Sequence, residues 1–287
     1  MTMSVNIYWS ADQIQGERQY QEDVYAIIDG DYVWMPGQRL DLSEMALANN
    51  ISVYLLADGM GGMGHGDYAA KLAVQTVVDH LIANWSETLS LNDLSQALVL
   101  ANEAIHAAVA SNTSYAGMGC TFIAVVVDSA SGRMDWVSIG DSPLLLNKGV
   151  ETKMLNTKHI WENWTAVTGN LPGEKEASLV ANHGDALFAA LDGTLPLLHV
   201  QTSSGQHVLD DGDILVIASD GVEVIDSERL LDVMSSATLR FRNSNCGDTV
   251  EDALCAMQKS ILTRVERLEL THQDNTSVIL VGARQPN

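Results

Sequence analysis

Apolar runs of strand length that end on an aspartate constrain this chain more than any other feature. Val53-Tyr-Leu-Leu-Ala57 runs into Asp58 and then into the glycine-rich turn Gly59-Met-Gly-Gly-Met-Gly-His-Gly66. The pattern returns at Trp136-Val-Ser-Ile-Gly-Asp141-Ser142 and at Ile214-Leu-Val-Ile-Ala-Ser-Asp220-Gly221. It is reversed at Asp274, which precedes the run Ser277 to Val281, and at Glu22-Asp23, which opens Val24 to Ile28. Short continuous apolar runs bounded by turn signals read as buried strands. Each carboxylate therefore stands at the end of one, and the glycines after Asp58 leave room for a close approach to the backbone.

Around these runs the periodicity predicts strands over Asn6 to Ile14, Cys120 to Val127, Met134 to Ile139 and Leu144 to Leu146, with Ser129 to Gly132 as a hairpin turn. Asp29 to Asn50 reads as turn-rich. One helix follows the glycine-rich turn, with Asp67 as its expected cap and Ala70, Ala73, Val77 and Leu81 on one face. A second opens at the capping-box pattern Ser90-Leu-Asn-Asp93 and aligns Leu94, Leu98, Ala101, Ile105 and Ala108. Further helices are expected over Asp226 to Ser235 and after a second capping-box pattern, Thr249-Val-Glu-Asp252. From about 151 to 198 the periodicity is poor, which reads as a partly irregular insertion. Strands that rarely alternate one to one with helices indicate an α+β fold with antiparallel sheet, two sheets with helices outside.

Charge narrows the function. The chain carries 15 Lys and Arg against 37 Asp and Glu, a net charge of −22, which argues against nucleic acid and against docking on anionic membranes. No apolar stretch approaches the ~18 residues of a membrane span, nor does the N-terminus read as a signal peptide. Cys120, Cys246 and Cys255 are odd in number and lack metal-type spacing, which suits a reducing, cytoplasmic setting.

If Asp58, Asp220 and Asp274 converge, each pair of charges ~4 Å apart repels by roughly 4 kcal/mol at an effective dielectric near 20. Three such pairs approach the ~5–15 kcal/mol by which a domain is stable. Something positive must sit between them, and no Lys or Arg lies within these three strand-end motifs. Hard oxygen ligands select Mg²⁺, Mn²⁺ or Ca²⁺, and two ions ~3.5–4 Å apart form a hydrolytic centre suited to phosphate esters.

Taken in order, Arg18-Gln-Tyr-Gln-Glu22-Asp23, Ala57-Asp58-Gly59-Met60-Gly61-Gly62, Gly119-Cys120-Thr121, Gly140-Asp141-Ser142, Ala218-Ser219-Asp220-Gly221 and Asp274-Asn275-Thr276-Ser277 resemble the motifs of the metal-dependent, type 2C serine/threonine protein phosphatases, in their bacterial form. The motifs span nearly the whole chain. The resemblance implies an α-β-β-α sandwich, two antiparallel sheets flanked by helices, with residues 1–287 as one catalytic domain and 151–198 as a flap-like insertion. It implies a phosphorylated protein as substrate and two Mn²⁺ or Mg²⁺ ions that activate water. Asp58 would bridge the ions, Asp220 and Asp274 would complete the surroundings of the first ion, and the second ion would take the Gly59 carbonyl, with Glu22 close by through water. Asp23 would orient water, Arg18 would hold the substrate phosphate, and Asp141 stands where bacterial members bind a third, weaker ion.

The chain departs from the family pattern at Pro143, where Arg is common, at Cys120, where Thr is usual, and at Lys158-His159, where an Asp-His pair precedes the flap. Met60 replaces the His of animal-type members. No general acid is identified, and protonation of the leaving group falls to metal-bound water.

Two other readings compete. Gly59-Met-Gly61-Gly-Met-Gly64 satisfies a dinucleotide-binding fingerprint, and a metal-binding pseudophosphatase or interaction module would keep the fold without the chemistry. The first predicts a parallel βαβ unit, the second a missing ligand.

Overall fold

Each central strand buries both faces, and its two sets of side chains go to two different cores. On β5 (Ile51–Ala57), Val53, Leu55 and Ala57 pack under helices α1 (Gly66–Ala83) and α2 (Leu91–Ser111), while Tyr54 and Leu56 face a second sheet. β13 (Ile214–Ala218) divides likewise. Leu215 and Ile217 meet Tyr54 and Leu56 between the sheets, and Ile214, Val216 and Ala218 lie under α5 (Ser227–Asn243) and α6 (Asp248–Glu266). The period-two pleat thus produces three cores from uninterrupted apolar runs. Each fully buried Leu or Ile contributes about 1.5–3 kcal/mol.

The computed structural model describes residues 4–286 except 46, 62–64, 150, 198–201, 244–247 and 269. The remaining strands are β1 (Asn6–Ile14), β2 (Val24–Asp29), β3 (Tyr32–Met35), β4 (Gln38–Asp41), β6 (Gly59–Met60), β7 (Gly119–Cys120), β8 (Phe122–Asp128), β9 (Arg133–Ile139), β10 (Leu144–Asn147), β11 (Thr152–Met154), β12 (Ser203–Val208) and β14 (Thr276–Arg284). Among the described residues they form one sheet in the order β1-β14-β13-β10-β11, another in the order β12-β9-β8-β5-β2-β3-β4, and the small pair β6-β7. With helices on both outer faces this is the α-β-β-α sandwich. β5 is antiparallel to both β2 and β8, so the strand before the glycine-rich turn belongs to no parallel βαβ unit. The dinucleotide reading falls on that ground; its Gly62 and Gly64, like Cys246, lie outside the described residues.

Several sequence expectations need correction. The stretch from Asp29 to Asn50 holds a hairpin, β3 paired with β4. β12, which no sequence pattern predicts, pairs antiparallel with β9. Asp67 does not cap α1: His65 holds the N-cap position, and Asp67 lies in the first turn, paired with Lys71 at 2.9 Å. The capping box at Ser90 and Asp93 is formed. α5 runs eight residues past Ser235, and α6 has begun by Asp248, so Thr249 lies inside its first turn. The 151–198 insertion contains β11, α3 (Trp164–Thr168) and α4 (Glu174–Asn182).

Candidate metal centre

Both sheets deliver their acidic strand ends to one side of the sandwich. β1 pairs with β14 along nine residues, from Asn6 with Arg284 to Ile14 with Thr276, and this brings the segment after Ile14 against the segment before Thr276. Asn275 fastens the two. Its Oδ1 accepts the Glu22 backbone N–H at 2.8 Å, and its Nδ2 donates to the carbonyls of Gln15 at 2.7 Å and Tyr20 at 3.1 Å. Arg18, Glu22 and Asp274 thereby share a cleft with Asp58, Gly59, Asp141 and Asp220, a cavity of about 360 Å³ whose wall also includes Leu187 from the insertion.

Asp58 leaves the end of β5 and is clamped by Thr121. The Asp58 N–H donates to Thr121 Oγ1 at 3.2 Å, the Thr121 N–H returns to the Asp58 carbonyl at 2.9 Å, and Thr121 Oγ1 shares a 2.7 Å hydrogen bond with Ser142. Gly59 must be glycine, because a Cβ there would run into the Gly66 backbone and lie 2.8 Å from the Glu22 carbonyl. Gly140, at φ +99°, leads into Asp141, and a Cβ at Gly140 would press on Thr121 at 2.6 Å. Asp220 opens the short 3-10 turn Asp220–Val224 directly beyond β13.

Asp23 lies beneath the cleft and is 2% exposed. Its Oδ2 accepts from Ser219 Oγ and Ser277 Oγ, both at 2.8 Å, while Oδ1 is buried with no hydrogen-bond partner. Burial is the main force raising its pKa to about 6; Asp220 and Asp274 push the same way against the two serines. Burial also raises Asp58 well above the carboxylate range, reinforced by Asp23, Asp220, Asp141 and Asp274. Asp141 rises to about 6 through burial and then Asp220, and Asp220 rises through burial and then Asp274. In Glu22 burial outweighs the pull of Arg18.

These side chains line one cleft without three of them closing on a single point among the described residues. The reason lies in how their charge is relieved. Arg18 Nη2 holds Asp274 Oδ2 at 2.5 Å, so one acid of the cleft already has a cationic partner of the chain's own. The donor set is nonetheless all oxygen, carries an orphaned buried acceptor in Asp23, and holds carboxylates whose ionised forms are disfavoured. Hard divalent cations fit such a set.

Residues 41–258 match the family model for protein phosphatase 2C. The chain belongs to the protein phosphatase 2C family. It is a metal-dependent serine/threonine protein phosphatase. The protein phosphatase PhpP of Streptococcus pneumoniae is 28% identical over 227 residues, covering 72% of this chain and 87% of that protein. The serine/threonine phosphatase stp of Listeria monocytogenes is 25% identical over 217 residues, covering 70% and 82%. The fold is similar to that of the Mycobacterium tuberculosis phosphatase PstP/Ppp, with a TM-score of 0.68 at 21% identity over 98% of this chain and 100% of that one. A second structure, of the PstP catalytic domain with two manganese ions, has the same TM-score at 20% identity.

The roles of Asn275, Ser219, Ser277, Thr121 and Ser142 were not assigned from sequence. Each is a polar neighbour of a strand-end acid or lies in its motif, which is the signal that marks them.

Proposed function

We propose that this phosphatase hydrolyses phosphoserine and phosphothreonine esters in proteins at a centre of two Mn²⁺ or Mg²⁺ ions held by Asp58, Asp220, Asp274, the Gly59 carbonyl and Glu22. The observation that carries the reading is the convergence of Asp58, Asp220 and Asp274, from three strand ends, in one cleft with too few basic partners to neutralise them. Bound there, divalent ions lower the pKa of water and offset phosphoryl charge.

The chain's own groups do the rest. Asp58, fixed through Thr121 at its backbone, is the central ligand. Asp23 has one oxygen committed to two serines and one free, so it can orient a water and take its proton as general base. Arg18 has a half-exposed side chain, 52%, and can turn from Asp274 to a substrate phosphate, which its planar fork grips through two hydrogen bonds. Leu187 gives the cleft an apolar wall, which supports a share in substrate selection for the 151–198 segment. Residues 1–287 act as one catalytic domain, a reading supported by the β1–β14 pairing and by Asn275. Cys120 and Cys255 are free thiols, which supports action in the reducing cytoplasm, opposite a protein kinase in signalling.

Hydrolysis of p-nitrophenyl phosphate and of a phosphothreonine peptide, each with Mn²⁺, with Mg²⁺ and with excess chelator, tests the reading. Metal should support turnover of both and chelator abolish it. Full activity in chelator would overturn the mechanism, and absence of activity under all conditions would favour the pseudophosphatase.

A further inference from the structure

The acidic cleft has a counterpart of opposite sign. Three of the chain's 15 basic residues, Arg229, Arg264 and Arg267, line one cavity of about 230 Å³ with Ile225 and Leu268, and no carboxylate lines it among the described residues. Helix electrostatics do not account for the set. Arg264 and Arg267 lie at the C-terminal end of α6, where the dipole favours cations, but three residues apart they meet as like charges. Arg229 lies in the first turn of α5, the end that disfavours a cation.

Little on the chain neutralises the three. Asp226 accepts from Arg229 Nε at 3.2 Å and from the Arg229 backbone N–H at 2.9 Å, which leaves the two terminal nitrogens of that guanidinium to another partner. The side chains of Arg264 and Arg267 have no hydrogen-bond or ion-pair partner among the described residues. Other cations are spent on the chain's own acids: Arg18 on Asp274, Lys71 on Asp67, Lys148 on Asp210 and Arg284 on Asp211. A second cavity, of about 280 Å³, shares Ile225 with the first and is walled by Leu145, Met154 and Leu230; its carboxylate, Glu223, is paired with Lys158. Both cavities lie close to the metal cleft. Asp220 opens the 3-10 turn whose far end is Ile225, about 10 Å away at the rise of such a helix.

We propose that the arginine cavity anchors a second phosphoryl group of the substrate protein, with an apolar side chain of the same segment in the neighbouring cavity. A phosphoryl group supplies the charge and the acceptor oxygens that guanidinium forks grip. The apolar cavity alongside marks a peptide as the ligand rather than free phosphate. No acid of the metal centre lines the arginine cavity, so a phosphoryl group held there is bound and not hydrolysed. The inference rests on the reading of this chain as a phosphatase of phosphoproteins, and it names the class: segments phosphorylated twice, at sites about three to seven residues apart, ~10–23 Å when extended. Over the rest of the chain the net negative field favours basic flanks, and this cavity is a local exception to it.

Steady-state kinetics on synthetic peptides, followed by loss of phosphothreonine in the presence of Mn²⁺, test the inference. A phosphothreonine peptide is compared with versions that carry a phosphoserine, or an Asp, at each spacing of about three to seven residues. For the wild type at least one doubly phosphorylated peptide should have a KM lower by about tenfold or more at unchanged kcat. Arg264→Ser combined with Arg267→Ser should abolish that gain and leave the singly phosphorylated peptide and p-nitrophenyl phosphate unaffected, and the paired Lys substitutions should restore part of it. Fluorescence anisotropy of a labelled peptide bearing only the phosphoserine, in chelator, reads the anchor without turnover: wild type should bind it more tightly than the serine variant, and inorganic phosphate should displace it only in large excess. No gain at any spacing, an equal gain from Asp, a loss shared by every substrate, or displacement by equimolar phosphate would overturn the inference. Binding that depends on the arginines in a protein that hydrolyses none of the peptides would instead overturn the phosphatase reading.

Discussion

Asn275 and Glu22, 253 residues apart in the chain, are joined by a 2.8 Å hydrogen bond from the Glu22 backbone to the Asn275 side chain. With the bonds to Gln15 and Tyr20, one amide that is 3% exposed holds the N-terminal acidic motif in register with the C-terminal one. Asn275→Ala leaves an N–H and two carbonyls without this partner. It should destabilise the protein by about 2–4 kcal/mol in a urea titration and raise the Mn²⁺ concentration needed for half-maximal activity. Asn275→Asp keeps the acceptor and should lose less of the Glu22 contact than Ala does.

Asp58 should show opposite effects on activity and on stability. Asp58→Asn removes the central ligand, so turnover of p-nitrophenyl phosphate should fall by more than about 100-fold, beyond the cost of losing an outer-shell partner. The same change removes an ionisable group whose pKa is driven up by burial and by Asp23, Asp220, Asp141 and Asp274. In chelator the variant should therefore melt at a higher temperature than wild type, and an unchanged rate would show that Asp58 is misassigned.

The metal-free protein should have an inverted pH dependence. Asp23 and Asp141 move from the ordinary 3.8 to about 6 on folding, chiefly through burial. Between those values the folded protein holds protons that the unfolded chain has released. Stability is then fullest below the unfolded value and is lost as pH rises through the folded one, at roughly 3 kcal/mol for each group by neutral pH. His159 runs the other way: burial lowers its pKa, so its share is present above 6.5 and lost as pH falls. The rise in Tm on adding Mn²⁺ separates the two, because bound cations favour the ionised acids and leave His159 to cancel between samples. That rise should be larger near pH 7.5 than near pH 5, and a rise independent of pH would contradict the assignment.

Net charge should select among substrates. With 37 acidic residues against 15 basic ones, phosphopeptides with Lys or Arg flanks should be dephosphorylated several-fold faster than acidic ones at low salt. The difference should shrink above about 0.1 M salt, where the screening length is ~10 Å. Initial rates on a matched pair of peptides measure it, with equal rates at low salt as the contrary result.

The acids of the site were legible because each lies against a strand with both faces buried, and such strands write themselves as unbroken apolar runs. The hairpin of β3 and β4 was not, since Gln38–Asp41 is exposed along its whole length and carries no alternation. β12 alternates only between half-buried and exposed positions, so no apolar period marks it. The sequence pattern ends α5 at Ser235, although Thr238 and Phe241 carry the buried face of Met234 beyond it. The bonds of Asn275 to residues 15–22 join segments far apart in the chain, and local pattern carries no trace of them. The strand-end pattern implies a ready-made cage, whereas the acids line an open cleft in which Asp274 is paired with Arg18.

The central claim is that carboxylates spread from residue 22 to residue 274 hold divalent ions in one cleft, and anomalous diffraction from crystals grown with Mn²⁺ tests it most directly. Two Mn²⁺ peaks should appear among Glu22, Asp58, Asp220 and Asp274, with Asp58 in contact with both and Arg18 released from Asp274. A cleft without anomalous density at saturating Mn²⁺, or peaks confined to other acidic residues, would contradict it.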